Sequence, residues 1–289
     1  MLDKIIPVKI LHFLELIRLK NPIGFMLLMW PCWFGLAILP NNQISLFKWY
    51  ILFFLGSFLM RSAGCIINDM IDIRIDSKIS RTANRPLVSK KVSITEANIL
   101  LILLLILSFL ILLQFKYLTI VAGLFSFPLV ILYPFIKRYS HWPQLFLGLI
   151  FSWGIILVSY QFYNTFDINF ILLYIGCVFW TLGYDTIYAY QDKKGDIINN
   201  VKSTAVLFKS NGPVFVKSCY LIFLMIIGLL IWKSHGSYLS LTVIIIFIII
   251  TYIFLNKWEP ESENNSNFYF RLNNLVGLFC FIYLLIFNL

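Results

Sequence analysis

Nine runs of about 18 or more nearly uncharged residues recur along the chain, each long enough to cross a bilayer as a helix. Their approximate positions are 22–39, 46–67, 97–114, 117–136, 143–163, 168–190, 214–232, 237–255 and 272–288. Hydrophobic residues make up 60% of the sequence and charged residues 12%, against roughly 25% charged residues in an ordinary soluble domain. The expected fold is an all-α, multi-pass membrane bundle of nine transmembrane helices in a single domain, 1–289. Helices one to four (about 22–136) and five to eight (about 143–255) form two pseudo-repeated halves, closed by a ninth helix.

Residues 4–20 interleave Lys4, Lys9, Glu15, Arg18 and Lys20 with Ile, Leu and Phe, the pattern of an interfacial amphipathic helix. Arg74, Lys78, Arg81, Arg85, Lys90 and Lys91 follow the second run, Lys137 and Arg138 the fourth, and Lys193, Lys194, Lys202 and Lys209 the sixth. Short cytoplasmic loops carry such an excess, which makes the N-terminus cytoplasmic and the C-terminus not. The net charge of +10 is accounted for by these loops and anionic headgroups, with no nucleic acid required. No obligate protein partner is evident. The five cysteines lie scattered in apolar segments as small core residues, and the stretch 259–267 reads as a solvated loop.

Charge is concentrated in two places. Asn68, Asp72 and Asp76 lie four apart, so on a helix they form one slowly drifting stripe. Counting 120 residues from each reaches Tyr188, Asp192 and Asp196, with Asp185 further back on the same helix. Both clusters follow the second helix of a half, so both belong to the cytoplasmic face. Carboxylates so close repel one another, and burying them is costly unless a cation compensates. Oxygen ligands without His or Cys favour a hard ion such as magnesium, which bridges to substrate phosphates. Asn68, Asp72, Asp76, Asp192 and Asp196 are the candidate metal ligands. Arg81, Arg85, Lys137, Arg138 and Lys202 are available to neutralise a diphosphate, or serve as positive-inside residues at lipid headgroups.

Arg61 lies within the second apolar run, seven residues and so two turns before Asn68. A guanidinium at that depth needs an anion, either an internal aspartate or a substrate carboxylate. Trp153, Tyr160 and Tyr184 have ring faces that could stabilise a cation, although with 18% aromatic residues ordinary lipid-facing or core packing is the better explanation of each. An ion or metal transporter also carries intramembrane carboxylates in repeated halves. Transport sites, however, lie near the midplane on broken helices, whereas these ladders fall at helix ends amid Arg and Lys.

Several blocks closely resemble the UbiA superfamily of membrane aromatic prenyltransferases. They are Arg18-Leu19 with Asn21-Pro22-Ile23-Gly24, Gly64-Cys65-Ile66-Ile67-Asn68-Asp69 through Asp76, Arg81-Thr82-Ala83-Asn84-Arg85-Pro86-Leu87, Tyr133-Pro134-Phe135-Ile136-Lys137-Arg138-Tyr139, Gly183-Tyr184-Asp185-Thr186 through Asp196, and Lys202-Ser203-Thr204-Ala205. The Arg-Thr-Ala-Asn-Arg-Pro-Leu and Tyr-Asp-Thr-x-Tyr-Ala contexts point to the 4-hydroxybenzoate branch. Val88-Ser89-Lys90 departs from a commoner Pro-Ser-Gly turn, and 192–196 holds fewer acids than some relatives, but neither removes a ligand position.

The resemblance implies transfer of a polyprenyl group from its diphosphate to the ring carbon ortho to the hydroxyl of 4-hydroxybenzoate, a step of ubiquinone biosynthesis in the bacterial inner membrane. It implies magnesium on the diphosphate, catalytic roles for Asp72, Asp192, Asp185 and Lys137, and Arg61 with Tyr188 beside the aromatic acid. Other members of the superfamily prenylate dihydroxynaphthoate, homogentisate, haem or chlorophyllide.

Overall fold

The computed structural model describes residues 7–40, 46–78 and 82–288. All regular structure within them is helical. A short amphipathic helix α1 (Val8–Leu16) precedes α2 (Ile23–Ala37), α3 (Phe47–Asp76), α4 (Ile94–Leu112) and α5 (Tyr117–Tyr139). The second half comprises α6 (Pro143–Phe151), α7 (Trp153–Tyr163), α8 (Ile168–Ile198), the single turn α9 (Thr204–Phe208), α10 (Gly212–His235), α11 (Tyr238–Leu255) and α12 (Glu263–Phe287).

Local signals set the ends. Ser93 and Glu96 form a reciprocal capping box at the start of α4, Asp167 caps α8, and α10 stops at Gly236, whose φ of 60° lies in the left-handed region. Ser262 accepts the backbone N–H of Asn265 at 3.3 Å and starts α12. The expectation of a solvated loop through 267 is therefore corrected: the polar Asn-rich segment forms the first turns of a helix, because its cap is stronger than its low apolar content.

Among the described residues, eight helices are long and apolar enough to cross a membrane, counting α6 and α7 as one span broken at Ser152. The first of the nine expected spans, 22–39, is α2 with 15 residues; at 1.5 Å per residue it reaches about 22 Å, short of a hydrocarbon core of about 30 Å. Its length is tolerated because Leu27, Trp30, Phe34 and Leu36 are buried in protein. Asn288 donates to the carbonyls of Ala37 and Leu39 at 2.9 and 3.1 Å, while Arg271 donates to Asn21 at 3.2 Å. Helix α12 thus runs parallel to α2, start against start and end against end.

Helix α8 is the central element and packs against α10, α6, α12, α9 and α7. Its buried face supplies Phe170, Leu173, Cys177, Trp180 and Tyr184 to a core shared with α2, α10 and α12. A second core joins Leu16 of α1 to Ala63 and Ile66 of α3 and Ala97 and Leu104 of α4. By contrast α4 and α11 are buried over little of their length and present Ile102, Ile106, Ile249 and Ile253 outward, as suits helices facing lipid. Helices α3 and α8 have 30 and 31 residues, or about 45 Å each. Their surplus turns carry the acidic ladders.

Candidate active site

A cavity of about 1040 Å³ lies between α2, α3, α5, α6 and α8. Asn68, Asp69, Asp72 and Asp76 from α3 and Asp185, Tyr188, Asp192 and Asp196 from α8 all line it. The four-residue spacing within each ladder turns its side chains to one face, and the packing of α3 and α8 around α2 directs both faces at the same space. Arg61, Arg85, Lys137 and Lys202 line it too.

The α3 carboxylates are charge-balanced by basic side chains from three other segments. Arg18 donates through one nitrogen to both oxygens of Asp69, at 2.8 and 2.7 Å. Arg85 bridges Asp69 at 3.0 Å and Asp76 at 2.6 Å, and Lys137 pairs with Oδ2 of Asp72. Asp69 and Asp72 are each 1% exposed, so these pairs offset a large desolvation cost. Thr82 donates its hydroxyl to the carbonyl of Asp76 at 2.8 Å and fastens the following loop.

The expected diphosphate residues separate on inspection. Lys137 and Arg85 are on the ladder itself. Lys202 is anchored beside Lys137, its backbone N–H donating to the Lys137 carbonyl at 2.9 Å and its ammonium to the Tyr139 carbonyl at 2.9 Å. Arg138 lies outside the cavity lining, 40% exposed, and faces Oδ1 of Asp72 at 4.0 Å. Arg81 lies outside the described residues.

No three His, Cys, Asp or Glu side chains among the described residues gather as a ready-made metal cluster. The donor set nevertheless fits magnesium, which takes one or two carboxylates and completes its shell with waters and substrate phosphates. Oδ1 of Asp72 is buried without a hydrogen-bond partner, an oxygen ready for a cation, and Asn68, Asp192 and Asp196 add further hard oxygens around the same cavity.

Seven residues below Asn68, and seven below Asp192, Arg61 and Asp185 line the deeper part of the cavity. The Arg61 guanidinium donates to Sγ of Cys65 at 3.0 Å, lies 5.7 Å from the Phe151 ring, and keeps Nε buried without a partner. Tyr188 packs its ring at 4.8 Å from Phe270. Trp153 donates its indole N–H to the Ala122 carbonyl at 2.9 Å, which is a packing role. Beyond these groups the wall is mostly apolar, interrupted by Ser57, Ser108 and Ser126. Phe109 of α4 and Leu124 of α5 line the cavity and are also exposed on the outer surface, so this arm reaches the lipid-facing side of the bundle.

Asp69 and Gln191 are not among the residues expected at the site, and Arg18 is expected only in the N-terminal amphipathic segment and within a family motif. Gln191 lines the cavity with a buried, unpartnered Nε2, a donor that its place beside Asp192 could have flagged. Arg18 had no such signal, because its partner is 51 positions away.

The UbiA prenyltransferase family model matches residues 28–275. The 4-hydroxybenzoate octaprenyltransferase of Marinomonas sp. (strain MWYL1) is 39% identical over 280 residues, covering 95% of this chain and 96% of that one. The enzyme of the same name from Blochmanniella pennsylvanica (strain BPEN) is 35% identical over 282 residues, covering 95% and 94%. Among solved structures, a UbiA homolog from Archaeoglobus fulgidus bound to GPP and Mg2+ superposes with a TM-score of 0.70 at 18% identity, covering 96% of this chain and 99% of that one. The apo UbiA homolog from Aeropyrum pernix K1 gives 0.69 at 20% identity, covering 91% and 97%. At these identities the structures share the fold.

Proposed function

This chain belongs to the UbiA prenyltransferase family, and from that premise we propose that it transfers a polyprenyl group from a polyprenyl diphosphate to the ring carbon ortho to the hydroxyl of 4-hydroxybenzoate, in ubiquinone biosynthesis. The observation that carries this reading is a single cavity with both acidic ladders at one end, Arg61 deeper within, and an apolar arm reaching the lipid-facing surface. That arrangement suits a diphosphate, an aromatic acid and a long hydrocarbon tail in that order. The relatives named above carry the same activity in their names.

Asn68, Asp72, Asp76, Asp192 and Asp196 would hold magnesium against the diphosphate. When bound, the ion draws electron density from the diphosphate and so favours departure of that group from the allylic carbon. Lys137, with Arg85 and Lys202 beside it, stabilises the negative charge that grows on the leaving oxygen as the C–O bond breaks. Arg138 contributes from outside the cavity, as a long-range cation. Arg81 is assigned to the diphosphate on the strength of its motif alone.

Arg61 receives the carboxylate of the aromatic acid, a bidentate match for a guanidinium, with Tyr188 along the ring. This orients the ring carbon toward the allylic carbon, and the new C–C bond forms there. Asp185, on the cavity wall near Arg61, accepts the proton lost as the ring regains aromaticity. The surrounding helices exclude water, which would otherwise trap the allylic cation as an alcohol. The chain acts as one domain whose two pseudo-repeats, about 22–136 and 143–255, each supply one ladder.

The site opens toward the cytoplasm of a bacterial inner membrane in this reading. Clustered Lys and Arg beside the ladders support it, and the parallel pairing of α12 with α2, which starts from the cytoplasmic side in this reading, supports a C-terminus on the far side. The test incubates membranes carrying the protein with labelled 4-hydroxybenzoate and a polyprenyl diphosphate, with and without a chelator. Magnesium-dependent, lipid-soluble label is the expected result; its absence, or equal label with dihydroxynaphthoate or homogentisate, overturns the assignment.

A further inference from the structure

Gly24 is the second residue of α2, and its backbone does not explain why it is glycine. Its φ is not in the left-handed region, and alanine is the better helix former at such a position. Space explains it. A Cβ built on Gly24 would lie 2.7 Å from Nε of Arg61, 3.2 Å from Nη2 and 3.3 Å from Cζ. The bare backbone of Gly24 therefore forms one wall of the slot that holds the guanidinium. Phe151, with its ring 5.7 Å away, and Cys65, whose sulfur accepts from Nη1 at 3.0 Å, form the others.

We propose that Gly24 is a positioning residue for acceptor recognition, setting where the Arg61 guanidinium stands and hence where the carboxylate of the aromatic acid is held. This rests on the reading that Arg61 binds that carboxylate. A methyl group at position 24 meets the far end of a flexible side chain, which can swing aside at little cost to the fold. The guanidinium then leaves its slot and turns from the geometry a carboxylate needs. The segment leading into α2 is itself held in place: Arg18 grips Asp69 at 2.7 Å and Asn21 accepts from Arg271 at 3.2 Å. Gly24 is thus presented to Arg61 by a segment pinned at both α3 and α12.

The experiment is a double-mutant cycle on the full-length enzyme in membranes, with Gly24→Ala, Arg61→Ala and the pair, measuring KM for each substrate, kcat and thermal midpoint. Gly24→Ala is expected to raise KM for 4-hydroxybenzoate about tenfold, with kcat, KM for the polyprenyl diphosphate and thermal midpoint little changed. In the Arg61→Ala background the same substitution should add nothing, since the group it displaces is gone. Equal effects in both backgrounds, or a loss spread over kcat and both KM values, overturn the proposal. A raised acceptor KM for Arg61→Ala with an unchanged one for Gly24→Ala overturns the Gly24 assignment alone. An unchanged acceptor KM for Arg61→Ala overturns the reading beneath it.

Discussion

Arg18 and Asp69, 51 positions apart, are joined by one guanidinium nitrogen that donates to both carboxylate oxygens at 2.8 and 2.7 Å. The pair fastens the segment after α1 to the buried face of α3, where Asp69 is 1% exposed. Among the described residues, replacing Arg18 by alanine leaves Asp69 with Arg85 alone, so a loss of roughly 2 kcal/mol is expected. The change should appear as a lower thermal midpoint in detergent, and Arg18→Ala with an unaltered midpoint would count against a structural role for the pair.

Asp72 and Asp192 stand on opposite ladders of one cavity. Asp72→Ala and Asp192→Ala should each abolish measurable turnover while leaving membrane insertion normal, because removing a hard oxygen from either side unclamps the diphosphate. Appreciable activity in both variants would sink the two-sided clamp.

Lys137 pairs with Asp72 and its carbonyl receives the N–H of Lys202. If its ammonium stabilises the departing diphosphate, Lys137→Met should lower kcat by about 10²-fold, with KM for 4-hydroxybenzoate unmoved. Lys137→Arg should recover part of the loss, since it restores the charge but not the compact ammonium. A Lys137→Met enzyme that changes only acceptor KM would place the residue elsewhere in the mechanism.

Asn273 of α12 accepts from the Trp180 indole at 2.9 Å and from the Tyr220 hydroxyl at 2.5 Å. It ties α12, α8 and α10 together in the core. Asn273→Ala leaves two buried donors without an acceptor, at a cost of about 2–4 kcal/mol. Reduced yield of folded protein and a lower thermal midpoint are expected, and Asn273→Asp, which keeps an acceptor, should fare better.

Much of this was legible in the linear order of residues. Apolar runs mark spans because hydrocarbon tolerates little else, and a four-residue spacing makes one stripe on any helix, so Asn68, Asp72 and Asp76 were readable as a ladder before any contact was known. The depth of Arg61 follows from counting seven residues along the same helix. Signals of this kind are local: they depend on period and chemistry within a few turns.

Tertiary structure decided what no period encodes. Many basic residues lie near the ladders, and only the rotation and packing of the helices chose Arg18 for Asp69, Arg85 for Asp69 and Asp76, and Lys137 for Asp72. The shortness of α2 is allowed by its burial among α3, α7 and α12, a fact about neighbours and not about its own sequence. Gly24 acquires its meaning from a guanidinium 37 residues away. Short-range periodicity and hydrophobicity were enough to reveal eight of the nine expected spans, the face of each ladder and the chemistry of its groups. Which charge meets which, and how closely backbone approaches Arg61, came only from the interdigitation of side chains distant along the chain.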